Sequence, residues 1–133
     1  MSSIARLFPL ILLAVNGVLY LYVAWLFISD PVDWFAALDV RLSRGSVGYT
    51  ELQSVYAGLM AAMGLFFVLC AWRPTWREPG LVFMLLSYAG LVLMRSNGIL
   101  IEQSYNTLIL QIYIAEWLAL LLAIVALFLQ RRA

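Results

Sequence analysis

Four stretches of this chain are long and apolar enough to cross a lipid bilayer, and nothing else in the sequence constrains its fold as strongly. They cover residues 7–29, 51–72, 80–98 and 108–129. A helix needs roughly 20 apolar residues to cross the hydrocarbon layer. With no water at that depth, backbone N–H and C=O groups must pair within the segment, so each stretch is predicted to be a helix. The second and third connections are short, which makes neighbouring helices antiparallel. The expected fold is all-α integral membrane: one domain, residues 1–133, forming an up-down bundle of four transmembrane helices. The first stretch follows Arg6 in the manner of a signal peptide. Its apolar length exceeds that of an h-region and no small-x-small cleavage site follows, so it is read as a retained span.

Composition supports the membrane class and removes several chemistries. The chain is 65% apolar and 11% charged, against about 45–50% and about 25% for soluble domains. A net charge of +1 leaves no basic footprint for nucleic acid. All cations are arginine, so no lysine is present to form a Schiff base. Histidine is absent, which removes the commonest metal ligand and general base. The single cysteine, Cys70, allows neither an internal disulfide nor a thiolate cluster and is read as apolar filler at a helix end. No metal and no cofactor are expected, and an enzyme is the least favoured class. Two carboxylates and an arginine still leave general acid–base work open.

Arginine placement predicts orientation. With four spans, the N-terminus, the second loop and the C-terminus share one side, which holds Arg6, Arg73, Arg77, Arg131 and Arg132. The first loop, on the other side, holds Arg41 and Arg44. The positive-inside rule then places both termini in the cytoplasm. Trp25 falls near the outer boundary and Trp72 and Trp76 near the inner one, whereas Trp117 is deeper. In the first loop, Asp30 is suited to cap a helix and Pro31 to its first turn. Trp34, Phe35 and Leu38 then share a face, with Asp33 and Asp39 away from it, which predicts a short helix in the outer interface.

The residue out of place is Glu116, the only charge in residues 108–129. At bilayer depth such a group costs roughly 2.5–3.5 kcal/mol unless compensated. At 1.5 Å per residue it lies roughly 12 Å inside the outer boundary. Arg95, near the outer end of the third span, is the candidate compensator. Tyr88 and Arg95 share one helix face, as do Tyr113 and Glu116. Glu51, Ser54, Gly58 and Ala62 line one stripe of the second span, with Gly58 and Ala62 as a small-xxx-small seam for close helix approach. The candidate polar site is therefore an outer-half groove of Glu51, Tyr56, Arg95, Tyr113 and Glu116. Asn16, halfway along the first span, is read as an interhelical hydrogen-bonding residue, and Met60, Met63 and Phe67 as packing. Three readings of the pair stay open: an ion pair that fixes register, a ligand- or proton-handling site, or Arg95 snorkelling to headgroups beside a protonated Glu116.

The segment Glu51-Leu-Gln-Ser-Val-Tyr56-Ala-Gly58-Leu resembles domain-of-unknown-function family 4345. So do Asp30-Pro31, Leu38-Asp39, the Arg73-Pro74 loop, the third span ending at Arg95, and Glu116 opening an apolar run. The resemblance covers nearly the whole chain, although Ala57 stands where the family is expected to have a second glycine. It implies a small four-helix protein of the bacterial inner membrane, with no function attached. A more distant likeness in architecture is to DoxX-like membrane proteins, some of which accompany quinone-linked oxidoreductases. The expected function is to bind a lipid- or quinone-like amphiphile at the outer-half site, or to serve as accessory subunit of a membrane complex. The alternatives are a small oligomeric proton-coupled transporter and a purely structural subunit. Expected partners are membrane lipids, a hydrophobic small molecule, and further copies or a larger complex.

Overall fold

The computed structural model describes residues 3–132, with side chains from Leu7 onward; the Arg6 side chain lies outside the described residues. Helix α1 spans Ser3–Ser29, α2 Pro31–Ala37, α3 Val47–Trp72, α4 Arg77–Leu100 and α5 Thr107–Arg132. No strand occurs among the described residues. Four helices have the length and apolarity to cross a membrane, over Leu7–Ser29, Val47–Trp72, Pro74–Leu100 and Thr107–Arg132. All four leave large apolar side chains exposed, among them Val18, Leu65, Leu86 and Ile114. Apolar surface on that scale belongs against lipid. The chain is an all-α, four-span membrane protein.

Helix ends are set by local chemistry. Helix α3 starts at Val47, ahead of Glu51, because the Ser46 side chain accepts the Tyr49 N–H at 3.2 Å. Helix α4 starts at Arg77 and takes Pro79 into its first turn, where no N–H partner is needed. The Asn106 side chain accepts the Ile109 N–H at 2.9 Å and opens α5. The short loop helix α2 is present with Pro31 at its start, but the Asp30 side chain makes no cap bond. Asp39 closes α2 in a left-handed conformation, φ 61°.

The chain folds as two compact units, Ala14–Leu69 and Met1–Leu13 with Cys70–Ala133. In the first, Phe27 of α1, Phe35 of α2 and Ala57 of α3 form a buried core, with Tyr56 packed against it. The Phe27 ring lies 4.8 Å from both Phe35 and Tyr56. The apolar face of α2 is thus partly spent on the protein's own core.

The close approach in this unit is made by Gly17 and Gly64. A Cβ on Gly17 would lie 2.8 Å from the Gly64 carbonyl oxygen, and one on Gly64 would lie 2.9 Å from that of Gly17. The predicted seam at Gly58 and Ala62 is not used: both are exposed, and nothing stands within 4 Å of a Cβ on Gly58. The reason lies in the six-residue π-helical segment Ser54–Leu59. A π turn carries extra residues, so a 3.6-residue stripe drawn through it points the wrong way afterwards. The buried stripe of α3 runs instead through Ala57, Gly64, Phe67 and Ala71.

In the second unit, α4 and α5 pack antiparallel. Helix α4 buries Gly80, Leu81, Met84, Tyr88 and Val92, and α5 buries Glu116, Ala123 and Ala126. Gly80 sits against buried Cys70, whose Sγ would be 2.8 Å from an added Cβ, so Cys70 is packing material as expected.

The two glycine environments make opposite predictions. Gly64→Val should destabilise the protein by about 1–3 kcal/mol through overpacking, whereas Gly58→Ala should be tolerated. Unfolding titrations in mixed micelles check both; equal losses at the two positions would contradict the close approach.

A buried carboxylate–guanidinium site

The α4–α5 pair carries a connected set of polar groups. Arg95 stands near the end of α4, and its Nε donates to Glu116 Oε2 of α5 at 2.7 Å. The two side chains differ in exposure: 24% for Arg95 and 8% for Glu116. A charge-assisted bond of that length is among the stronger ones proteins make. It lets the only buried charge among the described residues, Glu116, sit at bilayer depth.

A second link runs beside it. Ser96 Oγ donates to the Val92 carbonyl at 2.7 Å and lies 2.8 Å from the Tyr113 hydroxyl. A serine hydroxyl has one proton, and here the helix carbonyl takes it, so Tyr113 is the donor to Ser96. Tyr113 and Glu116, three residues apart on α5, thus meet the neighbouring positions Ser96 and Arg95 on α4. The Tyr113 ring also contacts Trp117 edge-on, 6.4 Å between centroids. Beyond Arg95, Asn97 donates to Glu102 at 3.1 Å, so Glu102 serves the loop between the helices.

The chain matches the family described as domain of unknown function (DUF4345) over residues 9–127. It belongs to that family. No curated protein and no solved structure matches it. The DUF4345 description attaches no activity, so the chemistry is argued from the site.

Of the six site residues expected in this DUF4345 chain, Arg95, Tyr113 and Glu116 meet within one unit. Asn16, Glu51 and Tyr56 belong to the unit Ala14–Leu69. There Asn16 is buried, Glu51 is exposed, and the Tyr56 ring packs on Phe27 and Phe35. Sequence reasoning misses Ser96, although it lies eight residues beyond Tyr88 and so on the same helical face. It also misses a second α4–α5 ion pair: Arg131 Nε to Glu78 Oε1 at 2.8 Å, both exposed. The signal for that pair is an acid in the first turn of one helix and a base in the last turn of the next, each suited to its helix dipole. Among the described residues no group of three His, Cys, Asp or Glu is placed to hold a metal.

The pair should behave as a coupled unit. Removing one partner of a buried ion pair costs about 3–5 kcal/mol, because the other is left uncompensated. Arg95→Gln should cost more than Glu116→Gln, since it strands the more buried group. The double variant should lose less than the two singles together. Strict additivity would show that the bond carries no coupling. Tyr113→Phe should cost no more than about 1.5 kcal/mol, since Ser96 keeps its carbonyl partner.

Proposed function

We propose that this protein binds the polar head of a lipid- or quinone-like amphiphile at Arg95, acting alone or as accessory subunit of a membrane complex. The observation that carries the reading is the asymmetry of the ion pair. Glu116 is buried beneath the helix pair, while Arg95, the partner with donors to spare, is the more exposed. A guanidinium has five N–H donors. Glu116 occupies Nε, which leaves the two terminal amino groups for a further acceptor. The carboxylate neutralises the arginine locally, so those donors can stand in an apolar setting without requiring an anionic ligand. A carbonyl or phosphodiester oxygen fits them. The lipid-facing apolar surfaces of α4 and α5 suit the tail.

The arginine distribution supports an orientation with both termini cytoplasmic and the pair in the outer half; the bacterial inner membrane is the location that the family resemblance implies. A structural role for the pair is the second reading, favoured by the near-complete burial of Glu116. A proton-coupled carrier is less well supported. Residues 118–129, which continue α5 beyond the site, contain no polar side chain, so a relay would need groups from other helices or chains.

Native mass spectrometry of the full chain in mild detergent, with short-chain ubiquinone and short-chain phosphatidylcholine as probes, tests the binding reading. Wild type should retain one of the two, and Arg95→Gln should lower that retention about tenfold, as expected for a lost charge-assisted hydrogen bond. Arg95→Lys should recover only part of it, because lysine lacks the planar fork. Identical retention in wild type and Arg95→Gln would leave the pair a packing device.

A further inference from the structure

The other end of the α4–α5 unit has a different chemistry. Arg73 and Arg77 flank the turn between α3 and α4, and Arg131 and Arg132 end α5. Glu78 is the only acid in residues 70–86 and 127–132, so four guanidiniums face one carboxylate. Each arginine is held by a neighbour. Arg73 lies 5.3 Å from the centre of the Trp76 ring, and Arg132 lies 3.9 Å from that of Phe128. Arg77 Nε donates to the Ala71 carbonyl at 3.3 Å. Arg131 is drawn to the start of α4 by its bond to Glu78.

That last contact places a cation beside a groove. Thr75, Glu78, Pro79, Val82, Phe83 and Leu86 line a shallow depression of about 650 Å³ along α4. Its lining is polar at the start of the helix and wholly apolar from Val82 on. Polarity thus falls with distance into the span, as it does along a phospholipid. Glu78 and Arg131 offset each other at the mouth of the groove, and Arg73, Arg77 and Arg132 give this end of the unit its net positive charge. Trp72 and Trp76 stand exposed at the same level, as indole rings do where spans leave hydrocarbon. The anions found at that depth of a membrane are phosphates.

We propose that this end of the unit is a binding site for an anionic phospholipid, with Arg131 on the headgroup phosphate and an acyl chain along Val82, Phe83 and Leu86. Arg73 and Arg132 add to the field that attracts it. The assignment is independent of the Arg95 site. It also gives the Glu78–Arg131 pair a role, since exposed ion pairs contribute little to stability.

The full chain in mild detergent, titrated with short-chain phosphatidylglycerol or phosphatidylcholine and read by native mass spectrometry, tests it. Phosphatidylglycerol should be retained in preference to phosphatidylcholine. Arg131→Gln should lower that preference about fivefold, and Arg44→Gln, which removes an exposed cation of the first loop, should leave it unchanged. Val82→Trp, which fills the groove and keeps every charge, should also reduce retention. Equal retention of the two lipids overturns the proposal. So does displacement by millimolar inorganic phosphate, which would indicate a soluble-anion site, or binding unaffected by Arg131→Gln. Because Arg131 is exposed, its loss should leave the unfolding transition in place, and this separates lost binding from lost fold.

Discussion

A hydrocarbon interior supplies no hydrogen bonds, and most of this structure follows from that. Helices answer the backbone's demand. Side chains answer in kind: Ser54, Ser87 and Ser96 return their hydroxyls to the carbonyl four residues back, on Thr50, Phe83 and Val92. Glu116 is the extreme case, since it brings a charge and not merely a dipole. Arg95 at 2.7 Å makes its position tenable. Moving Arg95 a turn along α4 would leave both charges unsupported.

Lipid also removes the usual force between helices, because a leucine gains little by exchanging an acyl chain for another leucine. Close contact then depends on small residues. Gly17 and Gly64 bring two backbones together, and Gly80 admits Cys70. Around these points the larger rings interlock, as Tyr20 does edge-on with Phe67 at 5.5 Å. The π-helical segment Ser54–Leu59 sets which face of α3 reaches the glycine contact.

The candidate site is partly legible in the sequence. Glu116 is conspicuous because a carboxylate in an apolar run is costly, and Arg95 is the nearest cation able to offset it. Tyr113 follows from its spacing to Glu116. Ser96 does not stand out, because a serine in a span is cheap when it bonds its own helix; its link to Tyr113 appears when two helices meet. Glu78 and Arg131, far apart in sequence and both exposed, carry no energetic anomaly that would flag them. Their contact appears only when the start of α4 and the end of α5 come together.

Sequence alone determined what each segment must be. Span length and the absence of water specify four helices, the Asp30-Pro31 start and its apolar face predict the short α2, and the cost of one buried charge singles out Arg95 as the candidate partner of Glu116; the structure then forms that pair. Tertiary structure decided which faces meet. A π turn shifts helical phase without altering hydropathy, so the contact passed from Gly58 to Gly64. A small residue becomes a contact point only when another helix lies across it.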